Sequence, residues 1–388
     1  MLSADSGLVT RVVTASDSEL RIVVLQPTVP AYRVNFFDRI DNATYCSFSV
    51  WASKPDHSLA SIASDLSSRR WAKTLGPIKQ LPVGVEWQRK ALDVPVDAST
   101  ILVVCGAPRC VSNLVVAARA RMKGAHVIWW GHYWTSTSKV WRLWARLLLM
   151  RLANTLLFYT DQEVVEYSQR VPRRFRQSTY ALQNGIDITE IAKVRAEYVA
   201  GSRDLRILFI GRLTRKTCID RLLVAISHPK LSKVRLSVIG DGPEGVHLRS
   251  LAEKLGVRDR VDWFGATTNE TEIATVANRC RIFVYPGSVG LSLIHASAYG
   301  LPSIVHNNRW KHMPEIAAFQ EDVTGVSFKV NDVQGLVSAI ASSINDTEKL
   351  NRWSQAAQSI VDCEYNTERM TERFTEMIKD IAESREGR

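Results

Sequence analysis

The chain reads as an α/β protein of two domains, each built on a parallel sheet, and three observations lead there. Its 388 residues, 46% of them hydrophobic, are enough to bury two cores. Short apolar runs of strand length alternate with helical segments in both halves, the pattern of parallel strands joined by crossover helices. Several of those runs stop at a glycine turn directly before a helix, so strand ends and helix starts fall side by side.

Residues 1–20 form a polar N-terminal extension, and 21–200 the first domain. A strand over 21–25 runs into Gln26-Pro-Thr-Val-Pro-Ala-Tyr32-Arg33-Val-Asn-Phe-Phe37, a loop and helix start. A second strand, 101–105, precedes Gly106 and a helix over 112–123, and a third, 126–130, ends in Gly131-His132-Tyr133-Trp134. Open α/β sheets place ligands at the carboxyl ends of their strands, which makes His132 a candidate. A histidine beside three aromatics is equally a packed, hydrogen-bonded ring. The segment KVWRLWARLLLMRLA, 139–153, puts Lys139, Arg142 and Arg146 on one helical stripe, with Trp141, Trp144, Leu148 and Leu152 over the rest. Such a helix either lies on an anionic membrane or packs in the domain with its arginine stems along the surface. Arg170, Arg173, Arg174 and Arg176 extend the basic surface. Residues 1–200 carry 25 Lys+Arg against 16 Asp+Glu, a net +9, leaving 25 against 23, a net +2, for the remainder.

The turn Asn184-Gly185-Ile-Asp187 and the polar stretch to 204 mark the boundary with a second domain, 201–345, followed by amphipathic helices over 346–388. A strand over 207–210 leads to Gly211, Arg212, Arg215 and Lys216 before an apolar-periodic helix. Further on, Gly240, Gly242 and Gly245 satisfy the G-x-G-x-x-G pattern of dinucleotide sites. That pattern belongs on the first strand of its domain, with an acid ending the next strand. Here the 207–210 strand comes first, Pro243 interrupts the turn, and Asp262 begins its strand, so a nicotinamide site is set aside. Residues 281–305 read as strand, glycine-bearing loop, helix and strand. The helix starts near Gly290 and stops at Gly300 and Pro302. The amides of Gly290, Leu291 and Ser292 then have no partner inside the helix, and an anion is their natural one.

These segments together resemble the retaining glycosyltransferases of family 4, whose GT-B fold sets two Rossmann-like domains facing across a cleft. The family's motif is a glutamate, a glycine-rich turn and a second glutamate eight residues after the first, on a helix ending in small residues, glycine and proline. Gly287-Ser-Val-Gly290-Leu-Ser-Leu-Ile-His295, ending Gly300-Leu-Pro302, has that frame, with Gly287 and His295 at the two glutamate positions. The resemblance implies donor-sugar contacts at Gly287, Ser288 and Val289, and a ribose contact at His295, which is otherwise a helix histidine satisfied locally. The glycine-arginine and lysine-glycine pairs of the family's phosphate loop correspond to Gly211-Arg212 and to Thr217-Cys218, with Lys216 one residue early. Arg212 and Lys216 are thereby implied to hold the diphosphate, since paired cations neutralise adjacent phosphates, with Arg215 as substitute. The turn at Asp241 and the end of the strand at Gly265 correspond to segments near the nucleotide. His306, Asn307, Asn308 and Met313-Pro314-Glu315 match the family's later loop, Glu315 being read as serving a helix dipole. In the first domain, Tyr32, Arg33 and His132 fall on loops facing donor or acceptor, and the helices over 346–388 correspond to those that cross back to it.

The expectation is therefore a metal-independent retaining transferase that moves a sugar from a nucleoside diphosphate to an acceptor hydroxyl of a glycan or lipid-linked molecule, in polysaccharide or glycoconjugate synthesis. Arg212, Lys216 and His132 would be its catalytic groups. No D-x-D sequence occurs, so no metal-diphosphate clamp and no cofactor are expected. Cysteines at 46, 105, 110, 218, 280 and 363 lack C-x-x-C spacing, which points to neither zinc nor a disulfide scaffold and suits reducing cytoplasm. No apolar run reaches about 18 residues, and no basic-then-apolar leader is seen. A pI near 9.4 suits nucleotide sugars and an anionic inner membrane face, and no nucleic-acid fold signature accompanies it. An epimerase acting on nucleotide sugars and a binding-only relative are the alternatives.

Overall fold

The computed structural model describes residues 20–44, 46–53, 66–134 and 140–387. Residues 1–19 of the polar extension, residue Lys139 and the Trp141 side chain lie outside what is described. The chain divides into two compact units. Unit 1 takes the residues up to Leu182, apart from a short stretch after Tyr133, together with Thr367–Arg388; unit 2 takes Gln183–Asn366.

Unit 1 opens with β1 (Arg21–Leu25) and α1 (Val34–Ala43), then β2 (Ser47–Ala52), β3 (Ala72–Thr74) and an antiparallel hairpin of β4 (Ile78–Leu81) and β5 (Val85–Gln88). It continues through β6 (Thr100–Cys105), α2 (Val111–Met122), β7 (His126–Trp130), α3 (Val140–Met150), β8 (Thr155–Phe158), α4 (Asp161–Arg170) and β9 (Ser178–Ala181). The main sheet runs β3-β2-β1-β6-β7-β8-β9, every pair parallel. Strands covered on both faces need continuous apolar runs, and Ile101–Val104 and Val127–Trp130 supply them. The strands expected as second and third are thus β6 and β7 of the chain. The missed β2 alternates buried and half-buried positions, and β3 is only three residues long at the sheet edge, so neither gives an apolar run. Strand order reverses between β1 and β6.

Unit 2 comprises α5 (Thr189–Val194), β10 (Arg206–Ile210), α6 (Ile219–Ser227), β11 (Arg235–Ile239), α7 (Gly245–Lys254), β12 (Val261–Gly265), α8 (Glu270–Ala277), β13 (Ile282–Tyr285), α9 (Leu291–Ala298), β14 (Ser303–His306), β15 (Gly325–Phe328), α10 (Val333–Ser343) and α11 (Thr347–Cys363). Its six strands run β12-β11-β10-β13-β14-β15, all parallel, and the order reverses between β10 and β13. One last helix, α12 (Thr367–Glu386), belongs to unit 1. Met370, Phe374, Met377, Ile378 and Ile381, spaced for one helical face, enter the core beside Phe36, Phe37 and Ile40 of α1. The 346–388 tail is therefore split: α11 stays in unit 2, and only α12 returns. The second unit also begins at Gln183, ahead of the polar stretch that marks the boundary in the sequence.

Candidate functional site

In a doubly wound sheet the crevice opens where strand order reverses, outside the carboxyl ends of the two flanking strands. In unit 2 those ends are Ile210 and Tyr285. Gly211 follows β10 with φ +151°, and a Cβ built on it would sit 3.3 Å from Ser292 Oγ and 3.3 Å from Tyr285 Oη. Gly211 and the first turn of α9 are therefore in immediate contact across the switch point. Leu293 N–H closes the first helical turn on Gly290 O at 2.9 Å, so the amides of Gly290, Leu291 and Ser292 precede it.

The G-x-G-x-x-G turn has a different task. A Cβ at Gly240 would meet Gly211 O at 1.9 Å, and one at Gly242 would meet Leu213 O at 2.4 Å. Gly211 N–H donates to Ile239 O and Leu213 N–H to Asp241 O, both at 2.9 Å. These glycines let one loop backbone lie on another, which fixes the loop that carries Arg212. Asp241 turns back onto its own turn, accepting from Gly242 N–H at 2.7 Å. Asp262, the only acid a dinucleotide reading offered, is taken by Arg206 and Arg235.

Arg212 and Lys216 are exposed and make no ion pair among the described residues. Arg215, the substitute, reaches Glu244 at 3.3 Å. Thr217, in the usual lysine position, is buried and donates to Thr214 O at 2.7 Å, closing a tight turn that leaves Lys216 as the outward cation. Cys218, where the family has glycine, is held at φ 52°, ψ 36° at the start of α6.

The loop ahead of α9 is packed tightly. A Cβ at Gly287 would lie 2.0 Å from Lys216 O, and Ser288 N–H donates to that same carbonyl at 3.0 Å. No glutamate fits at 287 while the backbone of Lys216 lies there, which accounts for glycine at this position. Val289 has an exposure of 0%, so its side chain packs in the core and is not offered to a ligand from the loop surface. Its N–H donates to His312 Nδ1 at 3.2 Å, and its carbonyl accepts from Met313 N–H at 2.9 Å. His312 Nε2 in turn lies 2.7 Å from His306 O, which makes it the protonated nitrogen of a neutral ring. The two histidine rings stack at 3.7 Å. Burial pushes both below the ordinary 6.5. His312 did not stand out in the sequence, where nothing but proximity to Met313-Pro314 marks it. Glu315, accepting from Asn184 Nδ2, lies with Oε2 3.5 Å from the Cβ position of Gly290. This carboxylate sits at the amide end of α9, and Gly211 approaches the same turn at Ser292.

One turn beyond Ser292, His295 Nε2 is 3.1 Å from Glu270 Oε2, and Tyr299 Oη donates to that oxygen at 2.8 Å. Burial alone would raise Glu270, but these hydrogen bonds outweigh it and hold the carboxyl below 4.5. The acid absent from position 295 is thus present next to it, contributed by α8. Sequence spacing hides Glu270, which reads only as an acidic residue in a helix's first turn. Gly265, at φ +75° with open space around it, ends β12, and its carbonyl accepts from Gly240 N–H.

Unit 1 gathers its expected residues around Tyr159. Arg33 Nη2 donates to Tyr159 Oη at 3.2 Å, His132 stacks on the Tyr159 ring at 4.3 Å, and the Tyr32 ring lies 5.6 Å from the Arg33 guanidinium. Among the described residues no group of three His, Cys, Asp or Glu side chains is placed to hold a metal ion, and no helix is long and apolar enough to cross a membrane.

Residues 190–360, all within unit 2, match the family model described as Glycosyl transferases group 1. The chain is 26% identical over 147 residues to N-acetyl-alpha-D-glucosaminyl L-malate synthase of Bacillus anthracis, covering 38% of each. It is 29% identical over 136 residues to the phosphatidylinositol N-acetylglucosaminyltransferase gpi3 subunit of Schizosaccharomyces pombe, covering 30% of this chain and 28% of that protein. The matched segments thus span less than two-fifths of these relatives' lengths. Among solved structures, lipopolysaccharide outer core galactosyltransferase WaaB superposes with a TM-score of 0.67 at 12% identity, over 92% of this chain and 99% of the other. Anabaena HepE in complex with UDP gives 0.67 at 17%, over 93% and 100%. The fold is GT-B, and the family-model match over 190–360 supports the glycosyltransferase superfamily.

Proposed function

We propose that the protein is a retaining, metal-independent glycosyltransferase of family 4 that takes a sugar from a nucleoside diphosphate to an acceptor hydroxyl. The observation that carries this reading is the meeting of Gly211 and Ser292 at the β10/β13 switch point. It joins a loop bearing two unpaired cations to the amide end of a helix. Arg212, Lys216 and those amides would stabilise the diphosphate as charge builds on it in the transition state, where such contacts accelerate transfer. His132 would orient the sugar or acceptor, and His295 with Glu270 would hold the ribose. UDP in the HepE structure makes a uridine nucleotide the first donor to test. Replacing Arg212→Ala should weaken nucleoside-diphosphate binding about tenfold to hundredfold, the usual worth of a charge-assisted contact. Unchanged affinity by titration calorimetry would reject the site.

The closed position of Gly287 favours a second reading, a nucleotide-sugar-binding protein without transfer, because the family's acid has no room there. Binding of donor with no product from any acceptor would select it.

Contact with an anionic membrane is part of the proposal, and α3 supports it. Leu143 and Met150 face the core, whereas Trp144 and Leu148 are 60% and 69% exposed. They line a cavity of about 220 Å³ with Arg151 and Phe175. Trp144→Ala should reduce co-sedimentation with vesicles containing anionic lipid; equal recovery of both proteins would dismiss the contact.

A further inference from the structure

Arg33 is 6% exposed, yet among the described residues no carboxylate pairs with it. Its hydrogen bonds go to neutral oxygens, Gln26 Oε1 and Tyr159 Oη, both at 3.2 Å, and its plane lies over Trp130 at 4.2 Å. No Asp or Glu occurs between Asp97 and Asp161, the stretch that holds β6, β7 and β8, and the carboxylate of Glu163 on α4 accepts from the N–H groups of Tyr133 and Tyr159. A buried cation without a counter-charge is costly.

Three unused donors belong to this group. Arg33 Nε, Gln26 Nε2 and Trp130 Nε1 are buried side-chain nitrogens with no partner, while the acceptor oxygen of Gln26 is already taken by Arg33. Gln26 is itself held in place, its carbonyl accepting from Gln88 Nε2 at 3.2 Å, and Gln88 N–H donates to Ser112 Oγ of α2 at 3.2 Å. Gln26, Trp130 and Tyr159 lie at or just beyond the carboxyl ends of β1, β7 and β8, and Arg33 closes the turn that follows β1. This is beside the switch point of unit 1, where that sheet's own crevice opens.

We infer that unit 1 carries an oxyanion site centred on Arg33, which holds a carboxylate or phosphate group of the acceptor. Such a group supplies both the missing charge and oxygens for the stranded N–H groups, and the planar guanidinium matches either geometry. That the anion belongs to the acceptor rests on the transferase reading; that the site takes an oxyanion does not.

The test uses the full chain carrying Arg212→Ala, so that phosphate binding in unit 2 is not counted. Inorganic phosphate and malonate are titrated at matched ionic strength, with and without Arg33→Met. At least one anion should bind, and Arg33→Met should weaken it at least about tenfold. In otherwise wild-type protein, Arg33→Met should leave uridine diphosphate affinity unchanged. No anion binding, or equal binding by the Arg33→Met chain, overturns the site. Parallel loss of uridine diphosphate assigns Arg33 to the donor and overturns the acceptor role. Loss of uridine diphosphate with Arg212→Ala alone leaves the donor reading standing whatever Arg33 does. Should Arg33→Met not fold, Arg33→Lys carries the same test: it keeps the charge but not the planar fork, and about a threefold loss of anion is expected, while no loss overturns the site.

Discussion

His312 holds the loop ahead of α9 through two hydrogen bonds that require a neutral ring, one accepted from Val289 N–H and one donated to His306 O. Burial disfavours the charged form of His312 and of the His306 ring stacked on it, so both titrate below their unfolded value of 6.5. Below that pH the unfolded chain binds protons that the folded one refuses, and stability falls as pH drops. The wild type should therefore lose urea resistance as pH is lowered from about 6.5. His312→Gln should start lower at pH 7 but decline less steeply, and parallel slopes would refute the account. The histidine pair was not legible in the sequence, because titration and loop support both come from burial among residues distant in the chain. The place of Gly211 and Arg212 directly after β10 was legible, since a strand, a glycine and a cation follow one another in the sequence itself. The burial of the Val289 side chain was not legible for a related reason: a motif gives the position of a residue along a loop, not which side of the loop faces the core.

The loop from β10 to α6 shows how one element reconciles a tight turn with an unusual sequence. Thr217 closes the turn with its hydroxyl, and Cys218 then starts α6 in the left-handed region, where a Cβ is crowded. Such a conformation costs about 1–2 kcal/mol for a residue with a side chain, offset in a glycine replacement by about 0.5–1 kcal/mol of backbone entropy. Cys218→Gly should therefore stabilise unit 2 by about 0.5 kcal/mol, visible as a small rise in unfolding midpoint; a fall would show that the thiol's own contacts outweigh the strain. The neighbouring glycines 240 and 242 teach the converse. Their spacing matches a dinucleotide motif, yet they serve backbone contact with Gly211 and Leu213. The same glycine pattern arises wherever one main chain must approach another closely, whether that chain is a ligand's or the protein's own.

On the scale of the whole molecule, unit 1 has no complete core until the last twenty residues are in place. Phe374 of α12 packs edge-on against Phe36 of α1, with ring centres 5.8 Å apart, and is fully buried. Phe374→Ala should cost about 3–5 kcal/mol, and the loss should appear in the unfolding of unit 1 when the two units are followed by separate probes. A loss confined to unit 2 would contradict the assignment of α12. Both sheets were foreseeable as parallel, because strands covered on two faces must be apolar throughout and helices must intervene. The sequence by itself determined the α/β class, the strand ends at which loops gather, and the helix start near Gly290, since each follows from local hydrogen bonding and side-chain period. Only the tertiary structure decided that Glu270 lies against His295, that Gly287 has no room for another side chain, and that Arg33 is buried with no carboxylate paired to it among the described residues. Those outcomes depend on distances between segments far apart in the chain, which packing sets and local sequence does not encode.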